Sequence, residues 1–548
     1  MRRFLAFVLL AVMLMTALSA CRPEHSAAED ATAPEAFSST GEDRTEAAAP
    51  KPLEDPYAIF EQRYLTLFAG DSFDLDYGIV GEGDVRWTSS DACVSVVDGE
   101  ISALGEGSAV ICGGGADVCY VRVLPEEPSR LYVDAGGVAI TSKEEYVTCR
   151  ISVDSDNDAH DLSSLSAGIR VRGNSTSRRP KKPYRIKFES KQNLLGMNGG
   201  AKCKSWVLLA EYQDDSMIRT SSCLSAAEMI LDEYASDWRY VSLYINGEYV
   251  GVYSLCEQSQ INGYRIDIEE AGEDSPNVRS GYLFELDASP PHDGKILVSY
   301  SDFQVTDLLG KTYTHSTNDD KIYGLMRYSL KNDGCSDAQR AFAERYIQNV
   351  LRILYAATYQ GVYYGLDSDA GLILSSYTTA EETISAVIDV ESLVRMYLFS
   401  ELICNGDEYK KSFYMYVDFS EDGTGLLTFA CPWDFDGAIV KWNTYDYQSP
   451  NSYFAACRNL WYVMAMKNEW FFERVCKTWQ ELYNAHQGFW SLAYGIRRIS
   501  SAYAQDFTMD AKLWARQYDQ AAEAEKTAKW FVARIAWMNR QFGTDLPQ

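Results

Sequence analysis

The chain has 548 residues, 46% hydrophobic and 13% aromatic, and its 78 acidic against 50 basic side chains leave a formal net charge of −28. That length and apolar content allow roughly two to four domains with cores of their own, which excludes a largely disordered chain, and 37 Gly and 15 Pro without a period exclude a collagen-like one. So large an acidic excess argues against nucleic acid as a partner, because the chain's own field repels a phosphate backbone.

Residues 1–20 read as a secretory signal: Arg2 and Arg3, an apolar stretch from Phe4 to Leu18, then small residues before Cys21. Leu18-Ser19-Ala20-Cys21 resembles the bacterial lipobox, which implies lipidation of Cys21, a lipid anchor on the cell membrane and an extracytoplasmic location for the rest of the chain. A transmembrane anchor is the competing reading, but the run is short of the ~20 residues a spanning helix needs. Residues 21–59, rich in Ala, Glu, Pro, Ser and Thr, have the composition of a disordered acidic linker. The thirteen cysteines include no CxxC and the five histidines are scattered, so neither a disulfide framework nor a zinc site can be read.

From residue 60 to 125, short strand-like runs alternate with Gly/Asp turns: Tyr64 to Phe68, Val85 to Thr88, Val94 to Val97, Glu100 to Leu104, Ser108 to Cys112 and Val118 to Leu124. That spacing predicts a small all-β sandwich. Trp87-Thr88-Ser89-Ser90-Asp91, the turn Val97-Asp98-Gly99-Glu100-Ile101 and Val121-Arg122-Val123 resemble the group 2 bacterial immunoglobulin-like domain, which implies a spacer or adhesive unit.

The remainder, residues 129–548, opens with strands at Arg130 to Val133, Tyr146 to Val153 and Ala167 to Arg172. In the strand from Pro183 to Phe188, Tyr184, Ile186 and Phe188 share one face and Arg185 and Lys187 the other. Six of the eleven residues from Arg178 to Phe188 are basic, a local cation cluster suited to an anion or, equally, to a solvated hairpin. Val390 to Ile403 is predicted as an amphipathic helix with Asp389 as N-cap and a left-handed stop at Gly406. Phe413 to Val417 and Gly425 to Phe429 are predicted as the arms of a hairpin, which would bring Asp407 near Asp434. If extended, Asp434-Phe435-Asp436 puts two carboxylates on one face, hard oxygen ligands for Mg²⁺ or Mn²⁺. A helical tail from about Leu460 ends in Ala521 to Phe542, with Trp530, Phe531, Ile535, Met538 and Phe542 at core spacing.

The blocks Ile169 to Phe188, Lys204 to Arg219, Tyr240 to Gln258, Gly281 to Asp287, Asn405 to Asp418 and Cys431 to Ala438 resemble, in order, the CotH family of spore coat protein H kinases. The resemblance implies an α+β, divergent protein-kinase-like domain with a helical C-terminal lobe. It also implies transfer of the ATP γ-phosphoryl group to Ser/Thr hydroxyls of cell-surface or spore-coat proteins, with Mg²⁺ or Mn²⁺. By analogy with kinases, Asp407 takes the role of catalytic aspartate and Asp434 and Asp436 hold metal. Nucleotide-binding candidates are Lys182 and Lys187, between which the sequence does not choose, together with Glu257 and Lys411. Ser412 departs from the usual asparagine, and Thr220 from another, which keeps open the alternative of a non-catalytic adhesin on a degenerate fold.

Overall fold

The computed structural model describes residues 55–288, 295–314, 326–441 and 446–543. The signal segment, Cys21 and nearly all of the acidic linker lie outside the described residues. Among those described, no helix is long and apolar enough to cross a membrane, and all twelve cysteines are free thiols.

The first module is all-β. Tyr64–Phe68, Val118–Leu124, Gly107–Gly113 and Trp87–Ser89 form a four-stranded sheet, and Ser72–Asp74, Glu100–Ala103 and Val94–Val97 a three-stranded one. Alternation along Gly107–Gly113 turns Ala109 and Ile111 inward, where they meet Leu65, Leu67, Ile101, Val121 and Val123 in a core of the module's own. A further pair, Tyr57–Phe60 with Tyr77–Val80, begins inside the stretch assigned from sequence to the linker. It is anchored because Ala58 and Phe60 are buried in that core.

This module is docked on the rest of the chain. Arg122 is 3% exposed, and its Nη2 lies 2.6 Å from both Asp237 Oδ1 and Glu228 Oε1. Arg239, fully buried, donates to the Gly107 carbonyl at 3.1 Å and to Ser108 Oγ at 2.7 Å. Tyr64, Phe68 and Leu124 extend into the main hydrophobic core. A linkage made of buried, paired arginines and shared apolar core fixes the orientation of the two parts.

A closed seven-stranded barrel follows: β1 (Ser129–Asp134), β2 (Val147–Asp154), β3 (Leu162–Val171), β4 (Tyr184–Gln192), β5 (Cys203–Leu209), β6 (Trp238–Ile245) and β7 (Glu248–Glu257). Neighbours run β1-β2-β3-β4-β5-β7-β6, and the parallel pairing of β1 with β6 closes the ring. The expected alternation holds in β4: Tyr184, Ile186 and Phe188 fill the barrel with Trp206, Leu208, Tyr253 and Leu255. The outer face of β5, β6 and β7 carries Val207, Trp238, Tyr240, Val252 and Cys256 into the main core. Helix α1 (Arg219–Ile230) is buried beside them on nearly all sides, including its Arg219, Thr220, Ser221 and Ser222.

Beyond the barrel lies a five-stranded sheet in the order β9-β10-β8-β11-β12, made of β8 (Tyr282–Leu286), β9 (Lys295–Val298), β10 (Met326–Leu330), β11 (Phe413–Val417) and β12 (Thr428–Ala430). Helices α2 (Asp337–Tyr355) and α3 (Val390–Ile403) pack on it; of those that follow, α4 (Leu460–Ala465), α5 (Glu469–Ala485), α6 (Trp490–Ala502), α7 (Ala504–Leu513) and α8 (Gln520–Phe542), α7 lies against barrel strand β7 and α8 against α5 and α6. Trp530, Phe531, Ile535, Met538 and Phe542 of α8 are core residues, as their spacing predicts. The architecture is an all-β first region, then mixed sheet and helix with a helical C-terminal part.

Candidate active site

Helix α3 aims one end at the site. Asp389 caps its start by accepting from the Ser392 N–H at 3.1 Å, as the sequence predicts. The left-handed stop is Cys404, with φ 48°, and not Gly406, whose N–H is instead committed to the Gly437 carbonyl at 3.0 Å. Asn405 Nδ2 donates to the Asp434 carbonyl at 3.0 Å. These two bonds tie the loop after α3 to the loop after β12. The β11–β12 hairpin, registered Tyr414 to Ala430, closes the other side.

Asp407 and Asp434 are thereby brought to one ammonium. Lys411 Nζ lies 3.0 Å from Asp407 Oδ2 and 3.0 Å from Asp434 Oδ2, and Ser412 Oγ donates to the same Asp434 oxygen at 3.1 Å. Asp434-Phe435-Asp436 is not extended: Asp434 is left-handed at φ 63°, and a 3₁₀ turn spans Phe435–Gly437. The two carboxylates therefore converge through a turn and not through strand alternation. Ser412 (φ 56°) and Cys431 (φ 58°) are also left-handed. At about 1–2 kcal/mol for each non-glycine residue in this region, strain is concentrated where the loops meet.

Around these lies a shell of buried acids. Asp407 is 1% exposed, and its Oδ1 receives no hydrogen bond among the described residues. Burial, reinforced by Asp434 and moderated by Lys411, pushes its carboxyl up to about 6. Burial and the charge of Asp434 push Asp436 up to about 7. Glu211, buried on the segment after β5, is pushed up to about 8 by burial and by Asp214 and Asp436, although Thr220 Oγ1 donates to its Oε2 at 3.0 Å. Asp214 accepts from the N–H groups of Ser216, Ile218 and Arg219 at the start of α1 and pairs with Arg219 at 3.2 Å. Arg219 in turn donates to the Asp436 carbonyl at 3.2 Å.

The remaining candidates are dispersed. Lys182 donates to the Ser177 carbonyl at 2.9 Å within its own turn, while Lys187 is exposed on the outer face of β4. Glu257 is fully buried but pairs with Arg265 at 3.1 Å and accepts from the Asp237 N–H at 3.2 Å, so its partner is an arginine and not a lysine. The neighbouring Lys181 is locked to Asp510 at 2.6 Å. Besides Lys411, a further cation near the acids is Arg172, which sequence reading passes over: its guanidinium lies 5.5 Å from the Trp433 ring, within the field of Asp434 and Asp436. The signal for it was present in the alternation Arg170, Arg172, Arg185, Lys187.

The donor set suits a hard divalent cation held jointly with phosphates. Asp407 Oδ1 is a buried oxygen without a hydrogen-bond partner among the described residues, and Asp434 keeps partial access to water. Among the described residues no three Asp, Glu, His or Cys side chains converge as an all-protein cage, and a Mg²⁺ site shared with a nucleotide needs only one or two carboxylates. A family profile described as CotH kinase protein matches residues 169–527 and so takes in every side chain of this cluster. No curated protein matches the chain.

Proposed function

The chain belongs to the CotH kinase family, and from that premise we propose that it is an atypical protein kinase that transfers the γ-phosphoryl group of ATP to Ser/Thr hydroxyls. The observation that carries this reading is the convergence of Asp407, Lys411, Ser412 and Asp434. In this reading Asp407 accepts the proton of the acceptor hydroxyl. A carboxylate pushed up to about 6 is mostly ionised at pH 7, yet basic enough to take a proton in the transition state. Lys411 keeps Asp407 and Asp434 from repelling each other. Asp434 and Asp436 would hold Mg²⁺ or Mn²⁺, which when bound would neutralise charge on the transferring phosphoryl group.

The lipobox-like Cys21 supports anchorage at the outer membrane surface, with acceptors among cell-surface or spore-coat proteins. The test is transfer of labelled γ-phosphate from ATP by the purified chain in the presence of Mg²⁺ or Mn²⁺. Transfer strongly reduced by Asp407→Asn and by Asp434→Ala is the expected result. A chain that binds no ATP would overturn the reading and favour a binding role on the same fold.

A further inference from the structure

Two neighbouring barrel strands present like charges to each other. Arg170 on β3 stands directly opposite Arg185 on β4, and Arg172, just beyond β3, donates its N–H to the Pro183 carbonyl at 3.0 Å. Period-2 alternation puts all three on the outer face, with Arg172 the diagonal neighbour of Arg185. Like charges directly opposed weaken a strand pair. No carboxylate among the described residues forms an ion pair with any of the three.

Their hydrogen-bond inventories differ. Arg170 is committed to the Lys143 carbonyl and lies 4.9 Å from the Tyr146 ring. Arg185 donates to Ser205 Oγ at 3.3 Å, while its Nε is buried without an acceptor among the described residues. The guanidinium of Arg172 donates no hydrogen bond to any described residue and rests over Trp433, next to the acids. Of the nearby lysines, Lys181 is spent on Asp510 and Lys182 on Ser177. Two planar donors with unused N–H groups, on one face and with no ion-paired carboxylate among the described residues, are suited to phosphate oxygens, which guanidinium groups bind through paired hydrogen bonds.

We infer that Arg172 and Arg185 form the anion site for the non-transferred phosphates of a nucleoside di- or triphosphate, in place of Lys182 or Lys187. The inference rests on the kinase reading for the identity of the anion, and it adds the residues that hold it. Burial lowers the proton affinity of both guanidiniums, and at Arg185 the like charges of Arg170 and Arg172 add to it.

The test is calorimetric titration of the full chain with ADP, inorganic pyrophosphate and adenosine. Arg172→Ala and Arg185→Ala should each weaken ADP and pyrophosphate about 10-fold or more, the worth of one charge-assisted hydrogen bond, and change adenosine binding less than about twofold. Arg185→Ala should also raise the thermal midpoint of the ligand-free chain, since it removes the clash with Arg170, whereas a purely structural arginine would lower it. ADP affinity unchanged in both variants, or lost instead in Lys182→Ala or Lys187→Ala, would overturn the inference and leave the kinase reading standing. Arginine-dependent pyrophosphate binding without γ-phosphate transfer would sustain the anion site and overturn the kinase reading. A wild-type chain that binds neither ADP nor pyrophosphate would overturn both.

Discussion

Ser412 Oγ donates to Asp434 Oδ2 at 3.1 Å. Protein kinases put a metal-ligating asparagine five residues after the catalytic aspartate, and here that position holds a hydroxyl spent on orienting a carboxylate. Ser412 is therefore a positioning residue in the proposed reaction, and the departure from asparagine does not leave Asp434 unsupported.

Ser412→Ala should lower phosphoryl transfer about 10-fold by releasing Asp434, at a cost near 1 kcal/mol in stability. Ser412→Asn should retain most activity, because asparagine tolerates the left-handed backbone at φ 56° and its amide can donate to the same oxygen. Rates measured across a Mg²⁺ titration would separate the two: an orienting role raises the Mg²⁺ concentration needed for half-maximal rate in Ser412→Ala and restores it in Ser412→Asn. Equal Mg²⁺ dependence in all three proteins would remove Ser412 from the site.

Asp407→Asn should reduce transfer by roughly 10²–10⁴-fold while leaving ATP affinity within a few-fold. The pH profile provides the sharper reading. Asp407 acts as a base only when ionised, so transfer should fall as pH drops through about 6, and that acidic limb should be missing from the residual activity of Asp407→Asn. An acidic limb that persists in the variant would assign the titration to another group.

The proximity of Asp407 and Asp434 is legible from sequence, since antiparallel arms fix where their flanking residues meet. What stayed hidden was the shape of Asp434-Phe435-Asp436, because a left-handed aspartate followed by a 3₁₀ turn leaves no periodic trace. The helix stop shifted from Gly406 to Cys404 for a similar reason: glycine is the usual left-handed residue, and only tertiary bonds from Asn405 and Gly406 make cysteine take that conformation. Burial explains the lysines. A basic run reads as one patch, yet the fold sends Lys181 inward to Asp510, turns Lys182 back on its own loop and leaves Lys187 in solvent. Glu257 is a candidate through the family resemblance alone, and only the three-dimensional neighbourhood reveals Arg265.

The acids around the site should make the metal-free chain more stable on mild acidification. Glu211, Asp436 and Asp407 have folded-state values pushed up to about 8, about 7 and about 6, above their ordinary 4.5 and 3.8. The folded chain thus holds protons that the unfolded chain releases. Their stabilising protonation is fully present below the ordinary carboxylate values and is lost as pH rises through about 6 to 8. Urea midpoints should accordingly be higher at pH 5.5 than at pH 8.5, and Glu211→Gln should narrow the gap by roughly 1–3 kcal/mol. A midpoint that climbs with pH over this range would contradict the burial of these groups as ionisable acids.

The docked first module gives the last prediction. Arg122 reaches Asp237 and Glu228, each at 2.6 Å; the Asp237 N–H donates to Glu257 Oε2, and Glu257 holds Arg265, which donates to the Ser205 carbonyl on β5. One buried polar chain thus runs from the module to the strand beside Arg185. Removing one member of such a network leaves charge buried and unpaired, so Arg122→Ala should cost about 3–5 kcal/mol. The whole chain should melt in one cooperative transition. Deleting residues 1–125 would uncover Arg239 and remove Pro125, whose carbonyl accepts from Tyr503 Oη at 2.9 Å, so the truncated chain should be aggregation-prone or inactive. A passive stalk predicts the opposite: two separate transitions, Arg122→Ala affecting only the first, and a truncated chain with full phosphoryl transfer. Differential scanning calorimetry of the three proteins, paired with transfer assays, decides between a module that is part of the catalytic body and one that merely carries it.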